Sequence, residues 1–298
     1  LVTCCWIVLL KLTCETVALL FIGLMLAGCF PSRMGVQAAL PLVESQILAM
    51  QEERDPELAK QAIPANLKIL EGLLKQDPDN TWILENLAEG FCGYAFSFLE
   101  DTEPERASSL YERGKDYAIR ATIIRTGREK WQDLSLDEWS HALNEVQASH
   151  QPALYWMGQC WGSWLMQNLD SVDAFADIPR LEKLMNKVHD LNPSFHYAGP
   201  HLFLGAFYGG RSKMLGGSPE KSRHHFKKAL ELTENKYLLA RLFFAKTYAV
   251  QYQDRELFKL QLQAVLQAPS DLLPEQRLAN QVARKKAAKL LEQIDELF

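Results

Sequence analysis

This sequence of 298 residues has few strand patterns, no excess of basic residues and no second long apolar run. Its formal net charge of −5 at neutral pH means that it lacks the excess of positive charge that nucleic-acid binding requires. After the first thirty residues, no stretch approaches the roughly 18 uninterrupted apolar residues of a membrane-spanning helix. We therefore expect the remainder of the chain to be soluble, and we exclude nucleic acid as a partner.

Motifs for catalysis and for metal binding are also missing. There is no GxSxG elbow, and no cysteine and histidine that the sequence pairs as nucleophile and base. The seven histidines include no HExxH motif. His196 and His201 are separated by a Gly-Pro pair, and His224 and His225 are adjacent, so they point in different directions. We expect no enzyme, cofactor or metal, and we interpret His201 as a core histidine with a satisfied hydrogen bond.

Cysteine is scarce outside the N-terminal region. Of the six cysteines, only Cys29, Cys92 and Cys160 lie beyond residue 28. In an oxidising compartment Cys92 and Cys160 could form one disulfide, but the prediction we favour is two buried free thiols.

The first thirty residues indicate export. The apolar run 19–25 leads directly into Leu26-Ala27-Gly28-Cys29, the order of a secretory h-region followed by a bacterial lipobox. Ala27 and Gly28 are small enough for a peptidase cleft, and Cys29 supplies the thiol that carries diacylglycerol. We predict a signal peptide over 1–28 and a protein anchored through Cys29 on the periplasmic side of a bacterial membrane. An uncleaved membrane anchor is the alternative.

Apolar residues beyond residue 55 recur at spacings of three and four, as on helices packed side by side. Turn-forming segments at 76–80, 191–194, 232–235 and 267–270 separate these stripes. A tetratricopeptide repeat (TPR) has a period of about 34 residues, with a proline closing its second helix. We predict an all-α fold over 56–298, an α-α superhelix of roughly three to four cryptic TPR-like helical hairpins with extra helices. Residues 29–55 would be the lipidated N-terminus and a linker into the first helix; an irregular helical bundle is the alternative.

One segment is rich in large aromatic side chains. At about 100° per residue, Trp161 and Trp164 share a helix face with Met157, while Trp156 points elsewhere. Large aromatics can form the wall of a channel for an apolar ligand, although ordinary packing between helices is the favoured alternative. The candidate lining residues are Tyr155, Trp156, Trp161, Trp164, Phe207 and Tyr208.

The glycine-rich segment 205–212 resembles a phosphate-binding P-loop only superficially. It carries Arg211 where that motif needs lysine, and no predicted strand precedes it. Its glycines more plausibly allow close helix packing, and the next residues predict an exposed loop after which Ser218 caps a helix with Pro219 at its first position. The candidate partner-docking loop comprises Lys213, Met214, Leu215, Gly216 and Gly217; plain turn chemistry is the favoured alternative.

Charged residues are distributed as on solvated helix faces. The carboxylates Glu231, Glu234 and Asp254 are scattered rather than paired. The basic run Arg284-Lys285-Lys286 lies opposite the apolar stripe of the last long helix, and we predict that it is also solvated.

Several motifs occur together from residue 152 onward, and their order is more specific than any one of them. They are Pro152-Ala153-Leu154-Tyr155-Trp156, Cys160-Trp161-Gly162-Ser163-Trp164, Leu191-Asn192-Pro193-Ser194, His201-Leu202-Phe203-Leu204-Gly205-Ala206-Phe207-Tyr208, Met214-Leu215-Gly216-Gly217 and Arg277-Leu278-Ala279-Asn280. This series resembles the T component of TRAP transporters, a family of bacterial tetratricopeptide lipoproteins, and the resemblance extends over about residues 45–295.

The resemblance implies a non-enzymatic, lipid-anchored accessory protein of a TRAP system. It implies binding to a TRAP-type substrate-binding protein and assembly as a homotrimer. It also implies an apolar channel that would pass a hydrophobic or carboxylate ligand. The alternative function is a stand-alone carrier of a small apolar ligand.

Overall fold

A computed structural model describes residues 32–168 and 171–298 of the chain. The predicted signal peptide 1–28 and the predicted lipidation site Cys29 lie outside the described residues. The described residues belong to two units, one that ends at Glu44 and one formed by Ser45–Phe298. The described part of the first unit is helical, and the cavity and the side-chain clusters discussed below lie in the second.

Each regular element in the described ranges is a helix, which confirms the predicted all-α fold. The α-helices are α1 (Ser32–Gln51), α2 (Pro56–Gln76), α3 (Thr81–Tyr94), α4 (Pro104–Thr126), α5 (Leu136–Glu145), α6 (Gln151–Gln167), α7 (Val172–Leu191), α8 (Phe195–Gly209), α9 (Pro219–Leu232), α10 (Leu239–Phe243), α11 (Arg255–Gln267), α12 (Arg277–Glu292) and α13 (Ile294–Leu297). Short π-helical segments, Ala95–Leu99 and Phe244–Ala249, continue α3 and α10. Among residues 32–168 and 171–298, none of the helices combines the length and the apolar character that crossing a bilayer takes.

Four helices end at the turn-forming segments that the sequence predicts. Helices α2, α7, α9 and α11 end at the four turn segments identified in the sequence. After the first of these, the side chain of Asn80 accepts a hydrogen bond from the Ile83 amide at 3.2 Å and so caps α3. The turn segments in the sequence therefore mark where these four helices end.

The segment 29–55 differs from its prediction as a linker into the first helix, because α1 occupies most of it. Residues 37–51 are rich in Ala, Leu, Gln and Met, which favour helix. The helix includes Pro41, a residue that normally indicates a break.

Helices adjacent in sequence pack against one another, as helical hairpins do. Helix α2 contacts α3, α3 contacts α4, α6 contacts α7, α8 contacts α9, and α11 contacts α12. One hydrophobic cluster is centred on α3, α4 and α6, and a second on α10, α11 and α12. The assignment of these pairs to tetratricopeptide repeats stays a prediction.

A disulfide joins Cys92 on α3 to Cys160 on α6, with the two Cα atoms 5.7 Å apart. The prediction of two free thiols is therefore wrong. The cysteines are 68 residues apart in sequence, and only the packing of α3, α4 and α6 brings them together. Gly114 of α4 lies beside the bond, where an added Cβ would meet Cys160 Sγ at 3.0 Å.

The basic run on α12 is only partly solvated: its prediction as a solvated face is correct at Lys285 and wrong at Lys286. Lys286 is 7% exposed, and its Nζ lies 2.6 Å from Asp101 Oδ2 and 4.7 Å from the centre of the Phe96 ring. Arg284 donates to backbone carbonyls at the end of α11, whereas Lys285 is exposed. The acidic partner of Lys286 comes from the turn after α3, which the periodicity of α12 cannot reveal.

Candidate ligand cavity

A cavity of about 240 Å³ lies between helices of the second unit. Its wall comes from the end of α1, from α2, α3 and α6, from the start of α8, and from α10 and α12. Most of the lining side chains are apolar, including Leu67, Phe96, Trp156, Leu202 and Val282. A cavity of about 150 Å³ is enough to bind benzene. The space is therefore large enough for one small apolar molecule.

Helix α6 supplies one side of the cavity through a single face. Tyr155, Trp156, Gln159 and Ser163 line the cavity, and Gln159 lies three or four residues from each of the others, which puts them on one side of the helix. Gly158 and Gly162 of the same helix pack closely against neighbouring helices. Because they have no side chains, there is room for Met185 on α7 and Phe203 on α8. Two of the six candidate lining residues, Tyr155 and Trp156, thus border the cavity.

The other four candidates are not among the residues that line it. Trp161 donates its Nε1–H to Asp177 Oδ2 at 3.0 Å and packs edge-on against Trp139. The ring of Trp164 lies 4.8 Å from Lys115 Nζ. For both tryptophans the contacts support the alternative of packing between helices.

Phe207 and Tyr208 lie toward the end of α8, also outside the cavity lining. The Arg211 guanidinium stacks 3.8 Å from the centre of the Phe207 ring. The Tyr208 hydroxyl donates to Glu182 Oε1 at 2.8 Å. Burial and that carboxylate raise the pKa of Tyr208, so its phenol stays neutral.

A small set of polar groups interrupts the apolar wall. Glu89 on α3 accepts a hydrogen bond from Gln51 Nε2 at 3.4 Å, and burial raises the pKa of Glu89 to about 7. The Gln159 Oε1 atom is buried and has no hydrogen-bond partner among the described residues. A buried amide oxygen without a partner is costly. Glu89 is therefore the ionisable group that the cavity offers to a ligand, and its carboxyl can be neutral or charged at neutral pH.

The start of α8 has an unusual backbone where it meets the cavity. His196, Tyr197 and Ala198 have φ angles of 46°, 55° and 58°, a left-handed turn made without glycine. This conformation costs about 1–2 kcal/mol per residue. Ring contacts hold it: His196 meets Trp156 edge-on at 4.9 Å, and Tyr197 stacks on Tyr237 at 5.2 Å. Backbone strain of this kind concentrates at functional sites.

His196 itself lines the cavity as a neutral ring. Burial lowers its pKa to about 4, so the imidazole carries no charge at neutral pH. Neither His196 nor Glu89 and Gln159 figured among the sequence candidates. One signal in the sequence could have indicated Gln159 as a lining residue. It follows Trp156 by three residues, so its polar side chain shares a helix face with that aromatic ring.

The candidate docking loop connects α8 and α9 and is exposed. Lys213–Leu215 form a 3-10 turn in which Met214 is 96% and Leu215 51% exposed. Gly216 has a φ of 80°, which favours glycine. Ser218 Oγ accepts a hydrogen bond from the Lys221 amide at 3.3 Å, so the predicted cap of α9 is confirmed. The exposure of the loop is confirmed as well, and its docking role stays a prediction.

The glycine-rich segment before this loop packs helices together, as predicted. Gly205 lies against the Phe226 ring of α9, where an added Cβ would meet ring atoms at 3.0 Å. Gly209 faces Ser222, whose hydroxyl donates to the Gly205 carbonyl at 2.7 Å. These contacts bring α8 and α9 close together.

Comparison with known proteins agrees with the motif series. A search of curated proteins finds no match for the chain. The TRAP transporter T-component family matches residues 52–298, which include α2 to α13 and all but a few of the residues that line the cavity. The match extends over more than half of the chain and confirms the predicted resemblance. The chain therefore belongs to the TRAP transporter T-component family, the accessory components of TRAP transport systems.

Proposed function

We propose that this protein is a lipid-anchored periplasmic accessory component that binds the substrate-binding protein of a TRAP system and holds a small ligand in its cavity. Family membership supports the association with a TRAP system. The Cys92–Cys160 disulfide supports an oxidising compartment such as the periplasm. Anchoring through Cys29 and assembly as a homotrimer belong to the same proposal and rest on the lipobox and the family resemblance.

The cavity is the observation that supports ligand binding. The charged groups in its lining favour one kind of ligand. Among the described residues that line it there is no lysine or arginine. His196 is neutral at pH 7, and Glu89 is neutral or negative. An ionised carboxylate would be buried there without a counter-charge, which is costly. We therefore favour a neutral, mostly apolar ligand with one or two hydrogen-bond donors over a free carboxylate.

Gly93 provides a direct test of ligand binding. It lines the cavity, and an added Cβ would meet nothing within 4 Å. The variant Gly93→Phe should fill the cavity without moving the backbone. Gly72 on α2 is equally open but does not line the cavity, so Gly72→Phe is the matched control.

The measurement is a fluorescence titration with the apolar probe N-phenyl-1-naphthylamine. We expect Gly93→Phe to weaken probe binding at least tenfold, which is about 1.4 kcal/mol, and Gly72→Phe to leave it unchanged. Equal binding by both variants would show that the probe does not enter the cavity.

Partner binding is tested separately by titrating the protein with its cognate TRAP-type substrate-binding protein in a calorimeter. We expect a complex that Met214→Ser and Leu215→Ser together weaken at least tenfold, because both side chains are exposed in the loop. Leu260 on α11 is 61% exposed, and Leu260→Ser is the matched control. The absence of a complex at tens of micromolar contradicts the proposal.

A stand-alone carrier is the second candidate function, because the cavity is formed by one chain. Probe binding that depends on Gly93, together with no affinity for the substrate-binding protein, favours the carrier. Both activities together favour the transporter accessory.

A further inference from the structure

Three histidines from three consecutive helices meet away from the cavity. His189 lies on α7, His201 on α8 and His225 on α9, and one nitrogen from each ring lies within 4.8 Å of the other two. His201 Nδ1 and His225 Nδ1 are 2.9 Å apart. Two imidazole nitrogens bound to one metal ion at about 2.0–2.1 Å lie roughly 2.9–3.4 Å from each other. The rings are therefore close to the spacing of metal ligands.

The surroundings of the rings suit this role. His201 is 5% exposed, so its ring is shielded from water. Histidine binds metal through the neutral imidazole ring. The Nδ1 atom of His189 lies 3.3 Å from Asp190 Oδ1, and a carboxylate beside a metal-binding histidine fixes its tautomer.

Access and opposing charge are also visible. The His189 side chain is 27% exposed, so the cluster lies next to solvent on this side. Lys221 and Lys228 of α9 lie four residues before and three residues after His225, so they share its helix face. Their positive charge opposes a bound cation, so we expect a micromolar rather than a nanomolar site.

We propose that His189, His201 and His225 together bind a divalent transition-metal ion of the kind that prefers imidazole, with water as the fourth ligand. Zn²⁺ and Cu²⁺ are the ions that three imidazoles suit best, and Cu²⁺ binds more tightly than Zn²⁺ in most such sites. The ion replaces the hydrogen bond between His201 and His225 and links α7, α8 and α9. Sequence spacing did not reveal the site, because each helix contributes a single ligand.

The test uses the full chain in detergent without a polyhistidine tag, stripped with a chelator. Its free thiols are alkylated, so that cysteines outside the disulfide do not bind the metal. Calorimetric titration with ZnCl₂ should give one ion per chain with a Kd of about 1–10 μM. At a hundredfold excess over Kd, Zn²⁺ should raise the Tm by about 5 °C.

The variants decide whether these three histidines hold the ion. His189→Ala and His225→Ala should weaken Zn²⁺ binding at least tenfold and remove the rise in Tm. His224 is exposed and adjacent to His225, so His224→Ala is the matched control and should bind Zn²⁺ like the parent protein. With Co²⁺, the parent protein should show visible d–d absorption that His189→Ala lacks.

Two results overturn the proposal. One is no binding at 100-fold above the expected Kd. The other is binding by His189→Ala that equals that of the parent protein. Because the His189 side chain is partly exposed, this variant should fold, and far-ultraviolet circular dichroism checks that it does.

Discussion

Gln51 Nε2 at the end of α1 donates to Glu89 Oε1 on α3 across 3.4 Å, at the polar part of the cavity wall. This bond lowers the pKa of Glu89, but burial has the larger effect and raises it to about 7. The carboxyl group is therefore partly protonated at neutral pH, and it can donate a hydrogen bond as well as accept one.

Glu89→Gln should make the stability of the protein less dependent on pH. The pKa of Glu89 rises from 4.5 in the unfolded chain to about 7 in the folded one, so between these values the folded state binds more protons. Stability is consequently lost as the pH rises through this window, by about 2 kcal/mol after allowance for the partial exposure of the group. Urea unfolding at pH 5 and pH 8 measures the difference.

The exposed residue Glu129 gives the control for this comparison. Glu129→Gln should retain the pH dependence of the parent protein, and Glu89→Gln should be the more stable of the two at pH 8. An unchanged pH profile in Glu89→Gln would contradict the elevated pKa.

Loss of the disulfide should lower stability substantially. The bond closes a loop of 68 residues, and a chain-entropy estimate for such a loop is about 4 kcal/mol. The double variant Cys92→Ala, Cys160→Ala should lose about that much free energy of unfolding, measured by denaturant titration. Dithiothreitol should produce a similar loss in the parent protein and none in the variant; a loss in both would point to a different cause.

Gly199→Ala should disturb the cavity wall. An added Cβ would meet Tyr155 Cζ at 2.7 Å, so the ring must move. We expect a loss of about 1–3 kcal/mol in unfolding free energy and weaker probe binding. Combining it with Tyr155→Leu should recover part of that loss, since the smaller side chain leaves room.

The control for this substitution is Gly72→Ala on α2, where an added Cβ meets nothing within 4 Å. Because alanine favours helix over glycine, this variant should gain up to about 1 kcal/mol. Equal effects at the two positions would show that the Tyr155 contact does not matter.

Lys286→Met should be more damaging than Lys285→Met. Removing Lys286 takes a buried side chain away from Asp101 and from the Phe96 ring, but the Asp101 side chain is 37% exposed, so water solvates the freed carboxylate and we expect a cost of about 1–2 kcal/mol. Lys285 is exposed, and its loss should change stability by about 0.5 kcal/mol or less. Thermal unfolding is measured for both single variants and for the double variant Lys286→Met, Asp101→Asn. The double variant separates the loss of the Lys286–Asp101 ion pair from the loss of packing around the Lys286 side chain.

The sequence predicted the structural features that depend on residues close together in the chain. Helix ends at Gln76, Leu191, Leu232 and Gln267, and the cap at Ser218, follow from turn chemistry within a few residues. The all-α class follows from periodicity, and the family follows from the order of motifs. Each of these signals is contained in a short stretch of chain.

The sequence could not predict contacts between distant segments. Periodicity separated Trp156 from Trp161 correctly, but it did not show that the first faces a cavity and the second an Asp177 carboxylate. The pairing of Cys92 with Cys160 likewise depends on how three helices pack. A polar residue such as Glu89 looks like any solvated position until the helices around it are in place.

The left-handed turn at His196–Ala198 links backbone conformation to the occupancy of the cavity. Its strained φ angles persist because the rings of His196 and Tyr197 pack on Trp156 and Tyr237, both of which also line the cavity. A ligand that adds contacts to those rings shifts the conformational equilibrium toward the strained turn, and one that displaces them shifts it toward a relaxed backbone. Two ligands of equal affinity can therefore leave the start of α8 in different populations of states.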